Sequence, residues 1–120
     1  MSTRSNIGII NVDGSLEVIY CHFDGYLEGV GRVLLENYNT EEKVRELLSR
    51  GHVSSLETNL IDCKFYHESS DKYSSIEEYN PDTLHIEYQY LYNVSTKEWI
   101  YSQGAKIWRS LTIKDCIHDY

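Results

Sequence analysis

The sequence predicts an α+β domain in which a mostly antiparallel, single-layer sheet of about five strands carries two helices on one face. Three observations lead to this prediction. Strand pairs with alternating apolar residues lie near both ends of the chain, and two amphipathic helical segments lie between them. The length of 120 residues is enough for one hydrophobic core. The expected order is β-β-α-α-β-β-β, with residues 1–120 as a single domain.

The first strand pair is predicted from Asp13-Gly14, a dipeptide that favours the two-residue turn of a β-hairpin. Such a turn fixes the register of the flanking strands. The facing pairs are then Val12 and Ser15, Ile9 and Val18, Ile7 and Tyr20, Ser5 and His22, and Thr3 and Asp24. Because side chains alternate between the faces of a strand, these residues share one face and Arg4 and Asn6 lie on the other. The hairpin is apolar near its turn and polar at its open end, which indicates a strand pair that leads from the core into a site.

The two central segments have helical periodicity. The first presents the apolar stripe Val30, Val33, Leu34 and Tyr38, and the second presents Val44, Leu47 and Leu48. Thr40 is the expected N-cap of the second helix, which begins at Glu41, and Gly51 follows its last residue at the preferred terminating position.

The second half of the chain supplies the remaining strands. Residues 63–67 form a short strand candidate after a serine-containing loop, and residues 68–82 are predicted to be mostly loop. From Leu84 onward apolar and polar residues alternate, so a tyrosine stripe faces the helices while His85, Glu87 and Gln89 face away. Residues 98–101 return as a partner strand, and residues 105–113 supply one more.

The amino-acid composition makes several classes of function less favourable for this chain. The net charge of −8 disfavours direct binding to nucleic acid or to anionic membranes. The three cysteines lie far apart without metal-ligand spacing, which indicates reduced thiols in an intracellular protein. No apolar run has the length of a signal peptide or a membrane span. Eleven tyrosines are many for this length, and they suit cores, interfaces and stacking sites alike.

Two groups of residues are candidates for a functional site, and each of them also has a purely structural interpretation. His22 and Asp24 present an imidazole and a carboxylate two residues apart, which suits acid–base chemistry, metal ligation or ligand binding. In the structural interpretation, Asp24 caps the turn and His22 bonds to Ser5. No third metal ligand has a diagnostic spacing, so neither a metal nor a catalytic residue is assigned.

The second group is the glycine-rich turn Gly25, Gly29 and Gly31 before the first helix. Its backbone amides are candidates for contacting an anion, with Arg4 and Arg32 as bidentate phosphate ligands. The spacing matches neither a dinucleotide-binding loop nor a P-loop. The structural alternative is a tight turn with two surface salt bridges.

The residues of the first half resemble a family of small proteins common in bacteriophages and mobile elements. The family pattern is T-R-S-x-I-x-I, then Y-C-H-[WF]-D-G-Y, then L-L-x-x-Y and S-S-L. It corresponds here to residues 3–9, 20–26, 34–38 and 54–56. The aromatic run of residues 87–92, together with Glu98-Trp99, resembles the closing hairpin of the family. This chain has Phe23 where many relatives carry tryptophan, and residues 58–82 depart most from the pattern.

The resemblance implies a phage accessory protein that counters host defence in the host cytoplasm. The first hypothesis is a non-enzymatic protein without cofactor that sequesters a small phosphate-bearing nucleotide signal, of the cyclic or ADP-ribose type. Its candidate ligand-binding residues are Arg4, Ser5, Asn6, Tyr20, His22, Asp24, Gly25, Tyr26, Gly29, Gly31 and Arg32. Because Arg4 and Asn6 face away from His22 in the predicted register, a shared pocket requires a bulge or a second subunit, and a homo-oligomer is therefore predicted.

Two alternatives from other classes remain open. One is an acidic protein–protein inhibitor that uses the tyrosine-rich surface against a basic host defence protein, similar in role to an anti-CRISPR protein. The other is a small nucleotide phosphodiesterase that uses His22 and Asp24. The three hypotheses differ in what is measured, since they predict ligand capture, salt-sensitive binding of a protein, and turnover that disappears in His22→Ala.

Overall fold

A computed structural model of the chain describes residues 3–117 and confirms the α+β class. The strands are β1 Ser5–Ile10, β2 Leu16–Cys21, β3 His52–Val53, β4 Phe65–His67, β5 Asp71–Tyr73, β6 Tyr88–Asn93, β7 Glu98–Gln103 and β8 Arg109–Ser110. The helices are α1 Arg32–Asn37, preceded by a π-helical turn at Leu27–Gly31, and α2 Glu41–Ser49. The prediction of about five strands is therefore wrong. Strands β3 and β5, which lie outside the predicted strand segments, have two and three residues, too few for a detectable alternation.

The strands form one sheet in the order β4-β3-β2-β1-β6-β7-β8, and β5 pairs with the first half of β2. The two long hairpins, β1–β2 and β6–β7, meet at the centre, where β1 and β6 run parallel. The other parallel contact joins β2 to β3, and all remaining pairs are antiparallel. The sequence analysis did not predict the parallel pairing of β1 with β6, because this pairing depends on contacts between residues far apart in sequence.

The first hairpin has a longer turn than predicted. The Asn11 amide donates to the Ser15 carbonyl at 2.8 Å, and Gly14 has a φ of 90°. The loop therefore spans three residues, with the glycine in the left-handed position. The Asp13 carboxylate accepts hydrogen bonds from the Ser15 amide at 3.0 Å and the Ser15 hydroxyl at 2.6 Å, which stabilises this loop.

The longer turn moves the register by one residue, so the predicted pairing is wrong. Ser5 lies opposite Cys21 instead of His22, and Asn6 lies opposite Tyr20. A one-residue slip transfers one strand's side chains to the other face. Arg4, which directly precedes β1, consequently lies on the side of Asn6 and Tyr20, whereas Ser5 lies on the opposite side.

The helices cover one face of the sheet and bury its main core. The Thr40 hydroxyl accepts from the Lys43 amide at 3.3 Å, which confirms the predicted N-cap, and Gly51 follows the end of α2 with a φ of 88°. The core lies between the helices and strands β1, β2, β6 and β7. Its buried members include Ile7, Ile9, Ile19, Leu34, Val44, Leu47, Leu48, Tyr90, Tyr92 and Trp99. Tyr90 and Tyr92 thus pack beneath the helices, as the alternation of the tyrosine strand predicts.

The opposite face has a smaller apolar cluster. Its buried members are Leu16, Val18, Tyr79 and Leu91, with Trp108 packed against them. This cluster occupies only the part of the face near the turn of the first hairpin. The rest of the face, at the open end of the hairpin, carries polar side chains. No helix within residues 3–117 has the length and apolar character needed to cross a bilayer.

Candidate functional site

A row of polar side chains crosses the sheet on the face opposite the helices. We call these residues the polar row: His67, His52, Tyr20, Asn6, Gln89 and Ser102, on β4, β3, β2, β1, β6 and β7 respectively. Each member lies beside the next through strand pairing or, between Tyr20 and His52, through a hydrogen bond. Paired residues of neighbouring strands share a face, so the strands bring together side chains that are scattered along the sequence.

Arg4 and His22 lie at the open end of the hairpin, on the same face as Tyr20 of the polar row. The Tyr20 hydroxyl and the His22 Nδ1 are 2.8 Å apart, which fixes the two rings relative to each other. Partial burial raises the pKa of the Tyr20 phenol, and the positive charge of Arg4 opposes this shift. Arg4 is thus close enough to act electrostatically on Tyr20. These residues combine a cation, two aromatic rings and hydrogen-bonding groups.

Several polar atoms in this region are buried without a hydrogen-bond partner. Gln89 is 0% exposed and Ser102 is 1% exposed, yet the Gln89 Oε1 and Ser102 Oγ atoms have no partner, and neither has the Arg4 Nε. The Gln89 Nε2, by contrast, donates to the Ile86 carbonyl at 2.8 Å. A buried polar group without a partner costs about 1–3 kcal/mol. Such groups are therefore rare, and they mark places where water or a ligand supplies the missing bond.

Asn6 is held at the centre of the polar row by a residue from a distant segment. Its Nδ2 donates to the hydroxyl of Tyr79 at 2.8 Å in a buried hydrogen bond. Burial strongly raises the pKa of Tyr79, and the hydrogen bond from Asn6 acts in the opposite direction. Tyr79 therefore remains a neutral phenol that accepts from Asn6 and orients its amide.

The sheet edge next to this site contains a linked pair of histidines. The Tyr20 amide donates to the His52 Nδ1 at 2.9 Å, so that nitrogen is unprotonated. The His52 and His67 rings stack with centroids 5.6 Å apart, and Ser69 Oγ lies 2.8 Å from His67 Nδ1 and 3.5 Å from His52 Nε2. Burial lowers the pKa of His52; the charge of Asp71 raises it and His67 lowers it further. The neutral form of His52 therefore joins β2 to β3.

Acidification is expected to destabilise the protein through His52. Its pKa in the folded state is lowered, whereas the unfolded side chain titrates near about 6.5. The contribution is complete above that value and is lost as the pH falls from it toward the folded-state pKa, because the unfolded state then binds more protons. Urea unfolding at about pH 7.5 and about pH 5.5 is expected to show a smaller acid-induced loss in His52→Gln than in the unmodified chain. The control is His85→Gln, which removes an exposed histidine paired with Asp82 at 2.7 Å and should show at least the full loss. A loss in His52→Gln as large as in the unmodified chain contradicts the prediction.

The other predicted site residues lie elsewhere or have internal partners. Ser5 is buried on the helix side of the sheet, beside Cys21. The exposed Asp24 has a φ of 56° and accepts from the Tyr26 hydroxyl at 3.2 Å. Arg32 is exposed in α1, and its Nε lies 3.2 Å from the Glu36 carboxylate. The structure therefore brings together Arg4, Asn6, Tyr20 and His22, and it separates them from Arg32.

The amides of the glycine-rich turn donate within the chain. Gly25 donates to the Thr3 carbonyl at 2.8 Å, and Gly29 and Gly31 donate to the Tyr26 carbonyl at 3.0 and 3.4 Å. The Gly25 carbonyl accepts from the buried Tyr90 hydroxyl at 2.7 Å. The turn thus ties the open end of the hairpin to the helix layer. Its glycines allow close packing, since a Cβ on Gly31 would lie 3.3 Å from the Tyr90 ring.

Sequence reasoning missed four members of the polar row as site residues: His52, His67, Gln89 and Ser102. Gln89 could have been found from the sequence, because the alternation places it on the face of its strand opposite the tyrosines. Its neighbours Asn6 and Ser102 become apparent only from the strand pairing. Among residues 3–117, no group of three or more His, Cys, Asp or Glu side chains is arranged to hold a metal ion.

Comparisons of the chain with protein-family models, with curated proteins and with solved structures found no match. The function must therefore be argued from the chemistry of the site itself. That chemistry consists of the unpartnered Arg4 Nε, the Tyr20–His22 pair and the polar row.

Proposed function

We propose that this chain is a non-catalytic binding protein that captures a small phosphate-bearing nucleotide at the Arg4 end of the polar row. The observation that carries the proposal is the buried Arg4 Nε without a hydrogen-bond partner, next to the aromatic Tyr20–His22 pair. The arginine guanidinium is suited to bidentate recognition of a phosphate group. Binding of phosphate there would supply the missing acceptor.

The neighbouring side chains suit the remaining parts of a nucleotide. Tyr20 and His22 are partly exposed rings held in a fixed relative orientation, and aromatic rings stack on nucleobases with about 1–3 kcal/mol per base. Asn6 is oriented by Tyr79 and offers an amide for a sugar or base edge. The proposed assignment is therefore phosphate to Arg4, base to the rings, and polar edges to Asn6.

The geometry favours binding over hydrolysis. The phosphodiesterase hypothesis needs His22 and Asp24 to act as a pair. His22 instead bonds to Tyr20 through Nδ1, and Asp24 bonds to Tyr26 at the surface. General acid–base catalysis requires both groups within hydrogen-bond reach of the same substrate. The proposal accordingly assigns the site residues to recognition and gives none of them a catalytic role.

The corrected register also changes the argument for a homo-oligomer. The predicted register separated Arg4 and Asn6 from His22, and a second subunit was needed to complete the site. The observed pairing places Asn6 opposite Tyr20, on one face with His22 and Arg4, so a single chain supplies all four residues. Oligomerisation remains a proposal supported by the excess of tyrosines. The role against host defence is proposed from the family resemblance.

Thermal unfolding with a panel of cyclic dinucleotides, cyclic ADP-ribose and ADP-ribose tests the proposal. A nucleotide at a hundred times its dissociation constant is expected to raise the free energy of unfolding by about 2.7 kcal/mol. Heating the complex should release the nucleotide unaltered. Arg4→Gln is expected to abolish the shift, whereas the matched variant Arg32→Gln should retain it because Arg32 is paired with Glu36.

Three outcomes contradict this proposal. A stabilising nucleotide that is recovered chemically altered supports the phosphodiesterase hypothesis. A shift that survives Arg4→Gln but disappears in Arg32→Gln places the phosphate at the helix layer. The absence of any shift across the panel favours the protein–protein inhibitor, which predicts salt-sensitive binding to a basic partner.

A further inference from the structure

Six neighbouring aromatic rings extend from the proposed nucleotide site to the β4 edge of the sheet. We call them the aromatic strip: Phe23, His22, Tyr20, His52, Tyr66 and His67. The centroids are 4.6 Å apart between Phe23 and His22, 5.9 Å between His22 and Tyr20, 6.5 Å between Tyr20 and His52, and 6.3 Å between His52 and Tyr66. Phe23 and Tyr66 are 45% and 55% exposed. Exposed apolar rings that belong to one continuous strip mark a site of interaction.

A β-bulge in β4 brings Tyr66 into the aromatic strip. His52 pairs with His67, and the next residue of β3, Val53, pairs with Phe65, so Tyr66 is the extra residue of the bulge. Regular alternation would place Tyr66 and His67 on opposite faces of the sheet. Their rings nevertheless both lie against His52, at centroid distances of 6.3 and 5.6 Å. The bulge therefore directs the Tyr66 ring toward the face that carries the polar row.

The Tyr20 phenol lies between the two exposed ends of the aromatic strip. On one side its hydroxyl is 2.8 Å from the His22 Nδ1, and the His22 ring packs edge-to-face on Phe23. Burial raises the pKa of Tyr20, the positive charge of Arg4 lowers it, and Tyr66 raises it further. Arg4 and Tyr66 are therefore both close to this phenol, so the cation lies near the middle of the strip, with an exposed ring on either side.

We propose that the nucleotide captured at this site is a dinucleotide, in which a phosphodiester joins two nucleosides. This inference rests on the proposed function and names its class of ligand. The phosphodiester binds Arg4, one base stacks on the Phe23 end of the strip, and the other base stacks on Tyr66 at the β4 edge. A nucleotide with a single base leaves one exposed end of the strip uncovered. A longer strand adds negative charges for which the strip contains no lysine or arginine.

Isothermal titration calorimetry of the full chain with four adenine ligands tests this inference. Linear ApA and cyclic di-AMP carry two bases, whereas AMP and ADP-ribose carry one. Because one more stacked base is expected to tighten binding about 5- to 150-fold, at least one two-base ligand should exceed both single-base ligands by that factor. Tyr66→Ala is expected to remove this advantage, and so is Phe23→Ala at the other end. Tyr66→Phe keeps the ring, and Ile61→Ala removes a 90% exposed apolar side chain outside the strip, so both variants should retain it.

Three results overturn the inference while leaving nucleotide binding intact. Equal affinities of single-base and two-base ligands show that only one base is bound. An advantage of the two-base ligands that survives both Tyr66→Ala and Phe23→Ala places the second base outside the aromatic strip. An oligoadenylate of about eight nucleotides that binds more tightly than ApA indicates single-stranded nucleic acid as the ligand. If none of these ligands binds, the proposed function fails as well, so the two failures are distinguishable.

Discussion

Replacing Trp99 with alanine is expected to lower the free energy of unfolding by about 3–5 kcal/mol. Trp99 is 2% exposed and lies in the main core beneath the helices. Its ring packs edge-to-face on Tyr92 with centroids 5.4 Å apart, and its Nε1 donates to the Tyr38 carbonyl at 2.8 Å in a buried hydrogen bond. The substitution removes the ring, leaves a cavity and deprives that carbonyl of its donor. Since domains of this kind are stable by about 5–15 kcal/mol, the loss is a large share of the total.

Urea unfolding followed by far-ultraviolet circular dichroism measures this effect. Trp99→Phe separates its components, because phenylalanine keeps an aromatic ring and loses only the donor and part of the volume. We expect a loss of about 1–3 kcal/mol in that variant, from the unsatisfied Tyr38 carbonyl. It also keeps the test decisive if the alanine variant does not fold. A loss below 1 kcal/mol in Trp99→Ala would show that strand β7 is not anchored by this residue.

Replacing Gly51 with alanine is expected to cost about 2–5 kcal/mol for two separate reasons. Gly51 has a φ of 88°, a conformation that strains any residue with a Cβ. An added Cβ would also meet the His67 carbonyl oxygen and would lie 2.7 Å from the Ser69 amide nitrogen. These are backbone atoms, so they cannot move aside without displacing β4. The variant therefore disrupts the edge of the sheet that holds His52 and His67.

Gly14→Ala is the matched control for Gly51→Ala. Gly14 has a nearly identical φ of 90°, but a Cβ there would have no heavy atom within 4 Å. It is expected to cost only the conformational strain, about 1 kcal/mol. The difference between the two variants in urea unfolding measures the crowding against β4. Equal losses in both would mean that β4 adjusts freely and that the edge does not require the glycine.

Local sequence signals predicted the elements whose stability is local. The N-cap Thr40, the buried stripe of α2 and the terminating Gly51 all lie where the periodicity and capping residues place them. Helix boundaries of this kind depend on residues within one turn of each other. The tyrosine strand was also predicted, because alternation over β6 reports which side chains face the core. Its predicted start at Leu84 is wrong, since residues 83–85 form a turn and Leu84 is exposed.

The turn of the first hairpin is where local reasoning failed. Asp13-Gly14 is compatible with a two-residue loop, and the observed three-residue loop uses the same glycine in the same left-handed conformation. The hydrogen bonds that the Ser15 amide and hydroxyl donate to the Asp13 carboxylate accompany the longer form. The difference of one residue decided which of Ser5 and Asn6 faces His22, and with it the composition of the candidate site.

The sequence by itself determined the α+β class, the second helix, the buried tyrosines and the presence of a polar end on the first hairpin. Only the tertiary structure decided that Arg4 and Asn6 join Tyr20 and His22, and that Gln89 and Ser102 extend the same row. The physical reason is that strand pairing is a long-range choice. Residues 6, 20, 89 and 102 become neighbours through the register of three strand pairs. The turns set the register within each hairpin, but no local pattern specifies the parallel pairing of β1 with β6.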